Sequence, residues 1–197
     1  MNDSSTIVLA SSNSGKLKEI RELLNGLDLD IRPQGDFDIP DAIEDGLSFV
    51  ENAIIKARHA CAMTGLPAIS DDSGIEVDYL NGAPGIYSAR YADGKGNEAN
   101  NAKLLDALKD VPEEQRTARF QCVMVYMRHA KDPTPIICQG TWEGLVITEL
   151  KGTEGFGYDP LFYVPSEGMT SAELSPERKN QLSHRAQALK KLLAALS

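Results

Sequence analysis

The chain has 197 residues, 42% hydrophobic and 25% charged, with 29 acidic against 20 basic side chains and a formal net charge of −9. That is globular composition at the length of one domain, large enough to bury a core without disulfide or metal staples. The negative excess excludes a dedicated binder of long nucleic acid or of an anionic membrane surface, since both need a basic patch.

A small anion remains compatible with this charge if a few lysines or a metal ion hold it. Cys61, Cys122 and Cys138 form no C-x-x-C pair and fit reduced thiols in a cytoplasmic protein. The stretch Met1 to Thr6 lacks the marks of a secretion signal, and no window approaches the ~20 apolar residues of a membrane span. The expectation is a soluble cytoplasmic protein.

Thr6 to Ala10 is a short apolar run that predicts a strand. Ser11 to Gly15 is small and polar. A helix is predicted from about Lys16, with Leu17, Ile20, Leu24 and Leu27 at helical spacing and Gly26 as its stop. Residues 28–47 predict one short strand and an acidic loop ending at Glu44-Asp45-Gly46. Ser48 to Glu51 reads as a capping box opening a helix that ends at Gly65. Pro67 to Ser70 predicts a strand that stops at Asp71-Asp72-Ser73-Gly74, and Ile75 to Leu80 a second one.

Asn97 is the predicted cap of a helix through Leu104, Leu105 and Leu108, closed by Pro112. Phe120 to Met127 is apolar at nearly every position, as in a central strand covered on both faces. Ile136 to Trp142 and Leu145 to Leu150 read as two strands joined at Gly144. Leu161 to Val164 is a last short strand. One final helix is predicted, with Ser175 as cap and Pro176 in its first turn. The elements mix helices with consecutive strands, so the class is α/β around a mixed sheet.

Four places could carry chemistry. Ser11-Ser12-Asn13-Ser14-Gly15-Lys16 joins strand to helix, which points free N–H groups and the positive end of a helix dipole at an anion. It is not a Walker A loop, because Ala10 and Leu17 stand where that motif has Gly and Ser/Thr. The plainer reading is a helix cap followed by an exposed lysine. Glu44, Asp71 and Asp72 are carboxylates that suit Mg²⁺, which takes one or two of them and leaves room for water and phosphate oxygens. The plainer reading is an Asp-rich turn. Gly155-Phe156-Gly157-Tyr158-Asp159-Pro160 could stack on a flat ring and hydrogen-bond its edge, or be a turn with buried aromatics. Lys179 shares the protein-facing side of its helix with Leu182 and either snorkels or meets an anion. Lys56 sits mid-helix, one turn after Asn52, and reads as an exposed lysine by itself. His184 alone reads as a structural residue.

Taken together these segments resemble the inosine triphosphate pyrophosphatase family, enzymes that hydrolyse non-standard purine nucleoside triphosphates. The resemblance rests on Leu9 to Lys16, Phe49 to Ala53 with Lys56-Ala57, Ala68 to Gly74, Gly82 to Tyr91, Gly155 to Pro160 and Ser183-His184-Arg185, in the family's order and nearly spanning the chain. The family's first loop usually reads Thr-Gly-Asn, where this chain has Ser11-Ser12-Asn13.

The resemblance implies a single domain over residues 1–197, elongated and two-lobed around the mixed sheet with a central cleft, and a homodimer. It implies hydrolysis of ITP, dITP and XTP to the monophosphate and pyrophosphate, with Mg²⁺. Glu44 and Asp72 look like the metal carboxylates, with Asp72 also activating water. Ser11, Ser12, Asn13, Ser14, Gly15, Lys16, Ser73 and Lys56 look like triphosphate contacts, and Arg90 is a further candidate. Phe156, Gly157, Tyr158, Asp159, Lys179, His184 and Arg185 resemble the base-binding set. Lys16, Lys56, Lys179 and Arg185 are then expected to converge on one cleft.

Two rival readings are a Maf-type pyrophosphatase for modified pyrimidine nucleotides and a nucleotide-binding module without turnover. The Gly-Phe-Gly-Tyr-Asp and Ser-His-Arg segments oppose the first. The set Glu44, Asp72, Lys16 and Lys56 opposes the second.

Overall fold

A computed structural model describes residues 6–24 and 30–196. Strand β1 is Ile7–Ala10, and helix α1 follows at Ser14–Leu24. The helix begins earlier than predicted because Asn13 caps it: its side-chain oxygen accepts the Lys16 N–H at 3.1 Å and its carbonyl accepts the Leu17 N–H at 2.9 Å. The predicted stop at Gly26, and Leu27, lie outside the described residues. Strand β2 is Ile31–Pro33. Helix α2, Phe49–Thr64, starts on the Ser48 side chain and ends on Gly65 at φ 73°, both as predicted.

The remaining elements are β3 (Ala68–Val77), α3 (Asn97–Leu108), β4 (Thr117–Met127), β5 (Ile136–Val146), β6 (Phe162–Val164), β7 (Met169–Thr170), α4 (Pro176–Leu182) and α5 (His184–Leu196). The strands form one seven-stranded sheet in the order β2-β1-β3-β4-β5-β6-β7. It is mixed: β1 pairs in parallel with β2 and β3, whereas β6 pairs antiparallel with β5 and β7.

The chain divides into two compact units, with β3, β4 and β5 each contributing residues to both. The first holds residues 1–72, 122–140 and 185–197. Its strand side chains alternate, and both faces are covered. Val8, Ala10, Ala68, Val123, Val125 and Met127 pack against Ala53, Ala57, Ala60 and Cys61 of α2. Ile7, Leu9, Ile69, Cys122 and Met124 pack against Ile20 of α1 and Ala188, Leu189 and Leu192 of α5. This two-sided burial explains the continuous apolar runs of β1 and β4. The second unit, residues 73–121 and 141–184, has its own core of Ile75, Val77, Leu104, Leu108, Phe120, Trp142, Phe162 and neighbours. No helix among the described residues is long and apolar enough to cross a membrane.

Four predictions are corrected. The supposed turn at Asp71-Asp72-Ser73-Gly74 is the middle of one ten-residue strand. Gly74 marks a close approach there: a Cβ would lie 2.4 Å from the Gly85 carbonyl oxygen and from Ser88 Oγ. Gly144 likewise lies inside β5, where a Cβ would lie 2.5 Å from the Tyr163 carbonyl oxygen. Helix α3 is capped by Gly96, at φ 94°, which leaves Asn97 as its first residue. The C-terminal helix is two helices, broken by Ser183 in an extended conformation at φ −62°, ψ 154°.

Candidate active site

Successive side chains of a strand point to opposite faces of its sheet. Asp71 and Asp72 therefore part company, although they are neighbours in sequence. Asp71 belongs to the face covered by α1 and α5. Its Oδ2 meets Lys16 Nζ at 3.0 Å and the Arg185 guanidinium at 3.4 Å. Arg185, itself 2% exposed, also pairs with Glu19 of α1. Asp72 belongs to the face covered by α2. Its Oδ1 accepts from Lys56 Nζ at 2.9 Å, and its Oδ2 accepts from Asn52 Nδ2 at 3.4 Å.

Helix α2 also brings in the acidic loop. Asn52 and Lys56 are four residues apart and share a helix face. Lys56 Nζ reaches Glu44 Oε2 at 3.1 Å, and Asn52 Oδ1 accepts the Gly46 N–H at 2.9 Å. Gly46 has no room for a side chain, since a Cβ would lie 2.7 Å from Asn52 Oδ1. The ammonium of Lys56 thus bridges two carboxylates from separate segments, and Asn52 holds both segments to the helix.

The electrostatics follow from burial and from these neighbours. Burial works against charging Asp71, yet Lys16 and Arg185 overcome it and hold its carboxyl well below the usual carboxylate range. Burial pushes Asp72 above its ordinary value, although Lys56 and Lys16 oppose it. Burial disfavours the charged form of Lys56, and the charges of Asp72, Asp71 and Glu44 more than offset it, so Lys56 stays protonated. Asp72 and Glu44 present hard oxygen donors around one point, and no group of three or more His, Cys, Asp or Glu side chains among the described residues could hold a metal ion. Two carboxylates without an all-protein cage fit Mg²⁺, which keeps its other positions for water and phosphate.

The loop Ser11 to Gly15 is largely exposed ahead of α1, with Ser12 Oγ donating to Asp41 Oδ2 at 3.0 Å. Ser73 follows Asp72 on β3 and is half-buried. In the first unit, Lys16, Lys56 and Arg185 therefore lie among Glu19, Glu44, Asp71 and Asp72.

Lys179 belongs to the second unit, where it meets an anion rather than snorkelling. Its Nζ donates to Asp159 Oδ2 at 2.7 Å. Asp159, 2% exposed, also accepts from Phe156 N–H at 2.8 Å and from Ser171 Oγ at 2.9 Å. Lys179 Nζ stands 5.4 Å from the centre of the Phe156 ring. Gly155 is required here: it adopts φ 75°, and a Cβ would lie 2.0 Å from Asp159 Oδ2. The Tyr158 ring is part of the core, with its hydroxyl donating to the Ser88 carbonyl at 2.8 Å. His184 is buried and stacks on Phe120 with ring centres 4.8 Å apart. Arg185 lies one residue beyond His184 but in the first unit, because the chain is extended at Ser183. A cavity of about 610 Å³ is lined by Tyr87, Arg90, Tyr91, Asp93, Gly94 and Lys103. Arg90 lies there 5.1 Å from the centre of the Tyr87 ring.

Glu19 and Ser171 carried no sequence signal, since their partners are 166 and 12 residues away. Asn52 carried one, its helical spacing to Lys56.

The fold and site define a mixed α/β protein with a lysine held between two carboxylates beside a strand-loop-helix anion motif. Residues 7–195 match the Ham1 family, and the chain belongs to it. It is 62% identical over 191 residues to the dITP/XTP pyrophosphatase of Thioalkalivibrio sulfidiphilus, covering 96% of this chain and 97% of that one. It is 59% identical to the dITP/XTP pyrophosphatase of Vibrio cholerae over 96% of both chains. The solved HAM1 protein of Coxiella burnetii superimposes with a TM-score of 0.90 at 51% identity, covering 98% of each chain.

Proposed function

We propose that this chain is a nucleoside triphosphate pyrophosphatase that takes dITP, ITP and XTP to the monophosphate and pyrophosphate. The observation that carries the reading is the Lys56 bridge between Asp72 and Glu44, in a chain about 60% identical to dITP/XTP pyrophosphatases.

Asp72 and Glu44 would hold Mg²⁺, which when bound neutralises triphosphate charge and stabilises the leaving pyrophosphate. The Ser11–Lys16 loop supplies backbone N–H donors, and Lys16 and Lys56 supply full positive charges for the phosphate oxygens. Water attacks the α-phosphorus, the bond to the bridging α–β oxygen breaks, and pyrophosphate leaves. Asp72 is the base for the water proton, and burial, by raising its pKa, improves its match to that task. Lys56, kept protonated by its three carboxylate neighbours, stabilises charge on the attacked phosphoryl group.

For the base, Phe156 offers a stacking face and the Asp159–Lys179 pair offers a donor for a 6-oxo group. Adenine presents a 6-amino donor to the same donor, and such a mismatch can discriminate by ~10⁴-fold. Gly157 and Tyr158 contribute through their backbone, because the Tyr158 ring is in the core. His184 backs this region through its stack on Phe120, whereas Arg185 belongs to the first unit and pairs with Asp71 there. The enzyme acts in the cytoplasm as a homodimer, in line with the family resemblance.

Incubation with ITP and Mg²⁺ should yield IMP and pyrophosphate. IDP and orthophosphate would overturn α–β cleavage, and a preference for UTP or TTP over ITP would overturn the purine assignment. A dimeric mass in light scattering is expected, and a monomer would remove the homodimer.

A further inference from the structure

Near the start of α3 are two consecutive buried asparagines, Asn100 and Asn101, 2% and 6% exposed. Adjacent helix positions point about 100° apart, so the two amides serve different segments. Asn100 accepts the Ala92 N–H at 2.7 Å and donates to the Ala89 carbonyl at 3.2 Å. Asn101 donates through Nδ2 to the Gly157 carbonyl at 3.0 Å. The next residue, Tyr158, donates its hydroxyl to Ser88 at 2.8 Å. One helix start therefore holds both the 88–92 segment and the tip of the Phe156–Asp159 loop.

That tip needs an anchor. Gly157 adopts φ 63°, and glycine is the residue with the freest backbone. On its far side the loop is fixed by the Phe156 N–H on Asp159. Toward α3, the Asn101 amide is what meets the Gly157 carbonyl. The Oδ1 of Asn101 is buried and has no hydrogen-bond partner among the described residues. A half-satisfied interior amide is a poor choice for stability alone, which points to retention for the geometry it imposes.

We propose that Asn101 is a positioning residue for purine recognition. By fixing the Gly157 carbonyl it aims Phe156 and the Asp159–Lys179 pair at the base. Its hydrogen bond to Gly157 stays within the second unit, whereas Lys16 and Lys56 belong to the first. The inference rests on the assignment of Phe156–Asp159 to the base. Loss of the anchor lets the Gly157 peptide rotate and the base-edge donors shift, and small misplacements of binding groups are costly.

The test compares Asn101→Ala, Asn101→Ser and Asn101→Asp with the unaltered chain. Each is assayed with ITP and with ATP, and with inorganic tripolyphosphate, which has no base, as competitive inhibitor. The expected result is a KM for ITP raised by about tenfold, a smaller change in kcat, a reduced preference for ITP over ATP and an unchanged tripolyphosphate inhibition constant. Asn101→Asp, which sets a carboxylate oxygen against the Gly157 carbonyl, should show the largest effect. Equal weakening of ITP and tripolyphosphate would mean a general structural role and overturn the inference, as would no change in either. Asn101→Ser keeps the test available if the alanine variant does not fold. Phe156→Ala is run in parallel. If it leaves ITP binding and purine preference intact, the base assignment itself fails. If it disturbs them and the Asn101 variants do not, only the inference about Asn101 fails.

Discussion

Half-buried Lys56 and buried Lys179 sit in opposite electrostatic situations. Lys179 pairs with Asp159, whose other bonds come from a backbone N–H and a serine hydroxyl. That arrangement is closed to solvent: both side chains are buried, and Asp159 accepts from Lys179, Phe156 and Ser171. Lys56 faces two carboxylates directly and feels a third. Negative charge is in surplus there, and Glu44 keeps 31% of its side chain exposed. A closed pair fixes a shape, which suits selection of a flat base. An open cluster with excess carboxylate suits a divalent cation and a reaction that moves charge.

The largest expected effect tests the open cluster. Asp72→Asn keeps the shape but removes the proposed base, and kcat should fall on the order of 10³-fold while the protein stays folded. Near-wild-type turnover would return Asp72 to a structural role. Lys56→Met should lower kcat/KM by about 10²-fold, yet move Tm by no more than a few degrees, because the carboxylates it leaves behind reach solvent or Asn52. Lys179→Met should do the reverse in the stability assay. It strands Asp159 in the interior, at a cost of about 3–5 kcal/mol, and Tm should fall on the order of 10 °C. Equal Tm losses for the two lysine variants would erase the distinction between the pairs.

Smaller effects sharpen the picture further. Glu44→Gln should raise the Mg²⁺ concentration for half-maximal activity by about tenfold with little change at saturation, read by metal titration. The weakest effect concerns acid stability. Asp71 has its pKa lowered on folding from an ordinary value of 3.8, so its contribution is fully present above that value and fades as pH falls below it. Asp71→Asn should therefore flatten the acid limb of the stability curve, and an unchanged limb would show that Asp71 is not one of its causes.

Much of this was legible from local chemistry. The six ordered motifs pointed to the family, and a short apolar run before a small polar loop located the first strand and helix. Two of the misreadings share one cause. Asp-Asp-Ser-Gly has turn composition, but Gly74 is there because the Gly85 carbonyl and Ser88 pass too close for a Cβ. Gly144 repeats the case against Tyr163. A glycine that turns the chain and a glycine that admits a neighbour look identical in sequence, since the neighbour lies elsewhere along the chain. Asn101 escaped for a related reason, because its partner Gly157 is 56 residues away.

The sequence by itself determined the class and the ingredients. The unbroken apolar run Phe120 to Met127 set the two-sided burial of β4, and capping chemistry set Ser48, Gly65 and Ser175. Only the tertiary structure decided how those charges are shared. The two-residue period of a strand sends Asp71 to Lys16 and Arg185 and sends Asp72 to Lys56. The extended backbone at Ser183 goes with Lys179 and Arg185 falling in different units although only five residues separate them. Those outcomes depend on which elements cover each face of the sheet, and local sequence carries no record of that.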